Sequence, residues 1–255
     1  MARSIAIHSF KGGTGKTTIT ANLAVALVSR GKSVGVMDMD LEGPGLHVLF
    51  NVNPDQITHT LNDVLLDKAL AEEAAIPMND RLGLKGGGML YFSPASTKIE
   101  EMLRTLRTGF EVESFSKALL KLQDHFNLDY LLIDTHPGLE NDTLLAMGVC
   151  NHLLIVSRLD QQDIFGTGVL VKVASTLRKS THLVVNMIPA GLKPSQASKL
   201  AAGIGDQFHT LVAGWFPFSE EVQRSLSRSV FILAERRHSM TAKFQELARQ
   251  VERFS

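Results

Sequence analysis

The glycine-rich run KGGTGKTT at residues 11–18 has the residue types needed to bind a polyphosphate. It follows the apolar run SIAIHSF and opens a helical pattern. Glycines let successive backbone N–H groups turn inward around an anion, and the N-terminus of the next helix directs its dipole at the same anion. The sequence therefore predicts a nucleotide-binding loop. Its members are Gly12, Gly13, Thr14, Gly15, Lys16, Thr17 and Thr18.

The side chains at the end of this run have separate predicted roles. Lys16 would bridge the β- and γ-phosphates, the Thr17 hydroxyl would complete the shell of a Mg²⁺ ion, and Thr18 would contact the α-phosphate. The usual spacing is G-x-x-x-x-G-K-[ST], but Phe10 stands where that pattern has its first glycine, and Lys11 opens the loop. A chance glycine turn is the alternative, which Gly-Lys-Thr-Thr between a strand and a helix disfavours.

Carboxylates follow two apolar runs that are typical of buried strands. VGVMDMD places Asp38 and Asp40 two residues apart, so both can point to one side of a strand end, and YLLID ends in Asp134. Ligands of open α/β sheets bind at the carboxyl ends of the strands. We expect Asp38 and Asp134 to hold Mg²⁺ and Asp40 to orient the water that attacks the γ-phosphate.

Short apolar runs alternate with helical patterns along most of the chain. Predicted strands are Ser4–Ser9, Ser33–Asp38, Met89–Ser93, Tyr130–Asp134, His152–Val156, Leu183–Asn186 and Leu211–Trp215. Predicted helices lie at roughly 17–30, 60–74, 97–107, 112–126, 139–148, 163–178, 195–204, 219–227 and 240–253. The pattern predicts an α/β fold in a single domain over residues 1–255: a doubly wound, mostly parallel sheet with helices on both faces. The GLKGGGM stretch at 83–89 is expected to be a flexible turn.

The composition is that of an ordinary globular protein, with 255 residues of which 44% are hydrophobic and 20% charged. No apolar stretch approaches the roughly 20 residues that span a bilayer, and Lys11 interrupts the N-terminal apolar run too early for a signal peptide. We therefore expect a cytoplasmic protein. The formal charge is zero, yet residues 1–165 hold 14 basic and 20 acidic side chains, and residues 166–255 hold 12 and 6. This asymmetry predicts either an interaction surface or only a solvated face.

KGGTGKTT with its leading lysine resembles the MinD/ParA family of deviant-Walker P-loop ATPases. The resemblance implies the same fold, ATP and Mg²⁺ as ligands, and an ATP-bound homodimer in which Lys11 reaches the partner's phosphates. Lys11, Lys16 and Asp40 are then the catalytic residues. By the same resemblance residues 135–138 form a switch loop, in which His136 replaces a small or cyclic residue. His136 either contacts the γ-phosphate region or only fills the loop.

The resemblance also implies where the base would bind. LVVNMIP puts Asn186 at a strand end, where the family uses an asparagine to hydrogen-bond the purine, and Pro217 lies in a segment similar to the loop against the base. A GTP-binding protein is expected to read N-K-x-D, and no aspartate follows Asn186 at that spacing. Adenine is therefore favoured. An ordinary strand-end cap is the alternative for Asn186.

Two functions from different classes fit these features. The resemblance implies an ATP-dependent dimerisation switch with weak ATPase activity, stimulated by an unknown activator, that positions or partitions a cellular cargo. The alternative is a metabolic enzyme, or one that matures a cofactor or metal centre, driven by the same ATP site. An iron–sulfur cluster shared by two subunits takes two cysteines from each, and this chain has only Cys150.

The resemblance suggests two surfaces on which such a switch could act. ParA-like members bind DNA nonspecifically through basic residues in the C-terminal part, and this chain has its basic surplus there. The residues concerned are Lys172, Arg178, Lys179, Lys193, Lys199, Arg224, Arg228, Arg236 and Arg237. Membrane binding is less favoured, because the apolar stripe of the last helix is better explained by core packing. The expected location is the cytoplasm, on the nucleoid or, less favoured, peripherally at a membrane.

Overall fold

One sheet organises the chain, for which the computed structural model describes residues 2–225 and 228–254. The strands are β1 (Arg3–His8), β2 (Val34–Met39), β3 (Ile76–Pro77), β4 (Leu90–Ser93), β5 (Tyr130–Thr135), β6 (His152–Ser157), β7 (Ser180–Ile188) and β8 (Leu211–Pro217). Their order across the sheet is β3-β4-β2-β5-β1-β6-β7-β8. Neighbouring strands are parallel except for the short β3, which pairs antiparallel with β4 at the edge.

The central strands are apolar on both sides because both faces of the sheet are covered. In β1, Ile5 and Ile7 belong to one hydrophobic core, while Ala6 belongs to the core on the opposite face. In β5, Leu132 packs into the first core and Leu131 into the second. Alternating side chains of a strand point to opposite faces, so a continuous apolar run fills both cores.

Helices cover both faces, as the predicted doubly wound fold requires. They are α1 (Lys16–Val28), α2 (Leu46–Leu49), α3 (Leu61–Leu65), α4 (Asn79–Leu82), α5 (Ile99–Thr108), α6 (Val112–His125), α7 (Asn141–Val149), α8 (Gln161–Thr176), α9 (Pro194–Gln207), α10 (Glu220–Arg224), α11 (Phe231–Ala234) and α12 (Ser239–Val251). The first core is formed with α1, α11 and α12, and the second with α3, α6, α7 and α8. Helix α9 packs on β7 through Ala197 and Ala201.

The last helix is a core helix, as its apolar spacing predicted. Phe244, Leu247 and Val251 are buried in the first core, and Phe254 follows them there. Their spacing of three and four residues places them on one side of the helix, against α1 and β8. This apolar stripe is therefore unavailable to a membrane surface.

One predicted helix is wrong in length. The helix expected at 60–74 ends at Leu65, because Asp67 takes a left-handed conformation (φ 54°) and the Lys68 amide donates to Asp63 O. The helix expected at 219–227 is observed at Glu220–Arg224, and positions 226 and 227 lie outside the described residues. Sequence periodicity also missed short elements: α2, α4, α11, β3 and a 3₁₀ turn at Pro54–Gln56. The remaining predicted elements are present, with ends displaced by three residues or fewer.

The glycine stretch at 83–89 turns through Gly83 (φ 60°) and Gly86 (φ 145°) and ends in a close backbone contact at Gly88. A Cβ atom on Gly88 would lie 2.4 Å from Lys32 O and 2.7 Å from Val28 O. The Asn79 side chain fixes the same segment, because its amide donates to Gly88 O at 2.9 Å and its oxygen accepts from the Leu90 amide at 2.8 Å. Glycine is needed here because the end of α1 leaves no room for a side chain.

We predict that Gly88→Ala lowers the free energy of unfolding by about 1–3 kcal/mol, because backbone atoms must move to admit the methyl group. Gly87→Ala is the matched control, since a Cβ there meets nothing within 4 Å. The control should change stability by less than about 0.5 kcal/mol. Urea denaturation of both variants checks the difference, and equal stabilities would contradict the assigned contact.

Candidate functional site

The glycine run connects the end of β1 to the first residue of α1, as predicted. Gly13 (φ 74°) and Gly15 (φ 89°) are left-handed, a conformation that glycine adopts without strain. Gly15 also has no space for a side chain, because a Cβ would lie 2.5 Å from Asn186 Nδ2. The loop therefore wraps closely before the helix begins at Lys16. Its curvature and the free N–H groups of the helix N-terminus are suited to a polyphosphate.

Lys16 and Asp134 face each other inside the protein. Lys16 is 6% exposed and Asp134 is 1% exposed. Burial lowers the pKa of Lys16, and the charges of Asp134 and Asp40 partly oppose that effect. Burial raises the pKa of Asp134 to about 6, although the charge of Lys16 and the hydrogen bonds from Thr17 and Thr20 lower it. The Thr20 hydroxyl donates to Asp134 Oδ1 at 3.0 Å.

Asp38 and Asp40 lie at the same sheet edge as Asp134. Asp38 is level with Asp134 in the pairing of β2 with β5, and both side chains are buried. Burial, together with the charge of Asp134, raises the pKa of Asp38 well above its usual value. Asp40 follows the end of β2 and is partly exposed; its amide donates to Asp38 Oδ1 at 3.2 Å. The structure thus brings together the carboxylates that the sequence predicted to meet.

These residues fit a hydrated Mg²⁺ ion. Asp134 Oδ2 is buried and has no hydrogen-bond partner among the described residues, although a buried carboxylate oxygen normally has one. No group of three or more His, Cys, Asp or Glu side chains able to hold a metal ion directly occurs in residues 2–225 and 228–254. Mg²⁺ usually keeps several waters and binds nucleotide phosphates, so Thr17, Asp38 and Asp134 would hold it with such ligands.

Lys11 points away from its own phosphate loop. Its ammonium group contacts Gln162 Oε1 and lies 4.0 Å from Asp160 Oδ1, both at the start of α8. The Lys11 side chain is 33% exposed. Lys11 therefore does not complete the site of its own chain in this structure.

Asn186 and Pro217 line a cavity of about 60 Å³ beside the loop, together with Gly15 and Thr18. The Asn186 amide donates to Thr14 O at 2.7 Å, which leaves its carbonyl oxygen as an acceptor. Such an acceptor suits the exocyclic amine of adenine. The cavity is smaller than a purine, so the side chains around it must move for a base to enter.

Sequence reasoning missed His8, which fastens the loop after Asp134. His8 Nδ1 lies 2.6 Å from Thr135 Oγ1, and His8 Nε2 lies 2.8 Å from Gly138 O. Burial is the main cause that lowers the pKa of His8 to about 4, so the ring is neutral at pH 7. A carbonyl oxygen only accepts, so Nε2 carries the hydrogen and Nδ1 accepts from Thr135. The signal in the sequence is a histidine that ends the apolar run leading into the glycine loop.

Two further contacts near the site were also missed. The Thr20 bond to Asp134 joins residues 114 positions apart. His136 Nε2 lies 3.3 Å from Glu42 Oε2, which links the loop after β5 to the loop after β2. In the sequence, the contact between Thr20 and Asp134 is indicated only by a threonine one helical turn after Lys16. No local sequence pattern indicates the contact between His136 and Glu42.

The sheet order, the glycine loop opening α1 and the buried aspartate at the end of β5 define a P-loop NTPase. A model of the ParA family, described as NUBPL iron-transfer P-loop NTPase, matches residues 1–252. The chain belongs to this family.

Individual relatives are similar over different shares of their length. An uncharacterised ATP-binding protein of Methanocaldococcus jannaschii is 34% identical over 184 residues, 72% of this chain and 62% of that protein. An iron–sulfur cluster carrier protein of Methanococcus maripaludis is 31% identical over 68% of this chain and 55% of its own. The chain thus spans less than two thirds of these two relatives. The Pyrococcus furiosus cell division ATPase MinD is 26% identical with a TM-score of 0.83, and the match covers all of both chains.

We predict that Asp134→Asn stabilises the protein in the absence of nucleotide and metal. The pKa of Asp134 is about 6 when folded, against 3.8 as its ordinary value. The folded state therefore keeps a proton that the unfolded state releases, so the free energy of unfolding falls as pH rises from about 4 through 6. A neutral asparagine removes this loss and should add about 2–3 kcal/mol at pH 8.

The measurement is urea denaturation of wild type and variant at several pH values with a chelator present. Asp206→Asn, at an exposed position of α9, is the control for loss of a negative charge. The stability difference for Asp134→Asn should shrink towards pH 4. A variant less stable than wild type at pH 8 would contradict the assigned electrostatics.

Proposed function

We propose that this protein is an Mg²⁺-dependent ATPase that dimerises when it binds ATP and reverts on slow, partner-stimulated hydrolysis. The buried set of Lys16, Asp38 and Asp134 supports phosphate and Mg²⁺ binding. Two relatives add support by name, one as an ATP-binding protein and one as a cell division ATPase. Positioning or partitioning of a cargo is the task that such a switch would perform.

The observation that carries the dimer is the orientation of Lys11. The Lys11 side chain leaves the phosphate loop and contacts the start of α8. It is partly exposed, and among the described residues it contacts Gln162 and lies 4.0 Å from Asp160 Oδ1, a weak arrangement near the surface. In the proposed dimer, the negative charge of the ATP bound to a second copy would draw this ammonium group across the interface.

We predict that Asp40→Ala accumulates as a dimer with ATP and Mg²⁺, because the attacking water loses the group that orients it and hydrolysis no longer reopens the dimer. The Lys11→Ala variant should remain monomeric with ATP. Lys117→Ala is its matched control, because Lys117 is an exposed lysine paired with Glu113 on α6. Sedimentation or light scattering with ATP and with ADP measures the assembly.

If the Asp40→Ala protein stays monomeric under saturating ATP, the proposed switch mechanism is wrong. If the Lys11→Ala variant dimerises as well as wild type, Lys11 does not have the proposed role of contacting the partner's phosphates.

The second candidate is a carrier or maturation factor for a metal centre. The family description names iron transfer, and one relative is named an iron–sulfur cluster carrier, which supports this alternative. The residues of this chain do not fit a cluster held by its own thiolates. Cys150 is the single cysteine; it is 0% exposed, and burial raises the pKa of its thiol to about 12. Anaerobic reconstitution with iron and sulfide separates the candidates, because a carrier must retain iron.

The surface on which the proposed dimer would act can be tested by measuring its binding to DNA and to membranes. Basic residues of the C-terminal part are exposed, but Lys172 lies on α8 and Arg236 lies beside α1, on opposite faces of the sheet. A DNA molecule lying on one face of the sheet would therefore contact only part of this basic set. The ATP-bound dimer, applied to DNA and to anionic vesicles across a salt series, tests each surface, since phosphate contacts weaken steeply with salt. Among residues 2–225 and 228–254, no helix has the length and apolar character to cross a membrane.

A further inference from the structure

A cavity of about 730 Å³ lies at the amino-terminal edge of the sheet, opposite the phosphate loop. Three of its lining residues begin neighbouring strands: Arg3 begins β1, His152 begins β6 and Ser180 begins β7. Helix α6 forms another wall, and we name this space the edge cavity. The six residues of β1, at about 3.3 Å each, place it roughly 20 Å from the phosphate loop. It is therefore separate from the candidate nucleotide site.

The ionisable side chains that line the edge cavity are all basic: Arg3, His152, Arg178 and Lys179. Burial, and next the charge of Arg3, lower the pKa of His152, so its ring is neutral at pH 7 and the other three side chains carry the positive charge. Within residues 2–225 and 228–254, none of these three forms an ion pair with a carboxylate. Charges of one sign that line a cavity attract a ligand of the opposite sign, here an anion.

Asn151 gives the edge cavity a hydrogen-bond donor whose direction is fixed. Its Oδ1 accepts from the Ser4 amide at 3.0 Å and from the Ser4 hydroxyl at 2.9 Å. A backbone N–H only donates, so the Asn151 oxygen must face Ser4 and its NH₂ group is turned away as a donor for a ligand. His152, the next residue, is 6% exposed, and its Nδ1 is buried with no hydrogen-bond partner among the described residues. Buried polar atoms normally have one, so the protein leaves a polar group of this cavity unsatisfied.

Arg178 occupies a backbone position that glycine would adopt more easily. Helix α8 ends at Thr176, and Arg178 then has a left-handed conformation (φ 54°). The Arg178 amide donates to Ser175 O at 3.0 Å, as in a turn that closes a helix. Glycine is the usual left-handed residue at a helix end, because it has no Cβ. The backbone therefore does not require a side chain here, and an anion in the edge cavity gives the guanidinium group a function.

The remaining wall of the edge cavity is partly apolar. Leu119, Leu120 and Val149 line it, and Leu120 is 49% exposed. Small-molecule sites have volumes of roughly 300–1,000 Å³ and combine apolar walls with a few polar groups, and the edge cavity falls within that range. Its lining therefore fits a molecule with an apolar body and an anionic group better than it fits a bare ion.

We propose that the edge cavity binds a small organic phosphate. The phosphate group accepts hydrogen bonds from Asn151, Arg178 and Lys179, and the organic part packs against Leu120 and Val149. A phosphate monoester carries roughly two negative charges at pH 7, which three positive side chains balance more fully than they would the single charge of a carboxylate. The site is independent of the proposed ATPase function, since it shares no residue with the phosphate loop.

The test is an NMR titration of the full chain with phenyl phosphate, which joins a phosphate group to an apolar ring. The amide signals of Asn151 and Lys179 report on the edge cavity, and those of Gly13 and Thr17 report on the phosphate loop. We expect saturable shifts at Asn151 and Lys179, with an affinity about tenfold higher than that for inorganic phosphate. Burial of about 60 Å² of apolar surface on the ring gives this fold-change.

Three variants assign the binding to named residues. Asn151→Asp keeps the oxygen that accepts from Ser4 but replaces the NH₂ donor with a negatively charged oxygen, so binding should weaken at least about tenfold. Arg178→Gly should also weaken binding about tenfold, yet its melting temperature should equal or exceed that of wild type, because glycine suits the left-handed backbone. Lys172→Ala is the matched control: it removes an exposed positive charge from α8 outside the cavity and should bind as wild type does.

Unchanged binding in Asn151→Asp would overturn the proposal, and so would shifts confined to Gly13 and Thr17, which would place the probe in the phosphate loop. Equal affinities for phenyl phosphate and inorganic phosphate would overturn it as well, because the apolar wall would then make no contact. A short DNA duplex that binds more tightly than phenyl phosphate and displaces it would assign these basic residues to DNA instead. If Arg178→Gly fails to fold, Asn151→Asp still decides the test.

Discussion

The burial of two aspartates side by side is the constraint on which the rest of the site depends. Asp38 and Asp134 are level in neighbouring strands, both are nearly inaccessible to water, and Lys16 is the buried cation beside them. Removing carboxylates from water costs free energy unless a positive charge nearby compensates for the lost hydration. One ammonium group leaves the pair short of positive charge, and burial raises the pKa of both acids as a result. A divalent cation with its waters would supply the missing charge.

The strand order explains how distant residues meet at this point. β1 lies in the middle of the sheet with β5 on one side and β6 on the other, and β2 lies beyond β5. The parallel arrangement brings the carboxyl ends of β1, β2 and β5 to one edge, where the phosphate loop and the loops after β2 and β5 begin. His8, at the end of β1, then reaches the loop after β5 directly. The fold thus makes one connected set of loops from segments more than 100 residues apart.

The sequence was sufficient for those parts of the site that are local in the chain. Glycine conformations, the start of α1 at Lys16 and aspartates at strand ends follow from short-range rules, and the structure brings them together as expected. The roles of these residues toward ATP and Mg²⁺ stay predictions. Contacts between distant segments could not be foreseen, because His8 with Thr135 and Glu42 with His136 depend on which strands become neighbours. The helix expected at 60–74 failed for another reason: apolar periodicity continues past Asp67, but that residue turns the backbone left-handed.

The most direct test of the central claim is the linkage between Mg²⁺ and ATP binding, measured by calorimetric titration with magnesium and with a chelator. If the buried carboxylates require a cation, wild type should bind ATP at least about tenfold more tightly with Mg²⁺. The Asp134→Asn protein should lose most of that difference, because a neutral side chain has no charge for the cation to balance. Equal affinities with and without Mg²⁺, or an undiminished magnesium effect in Asp134→Asn, would contradict the account.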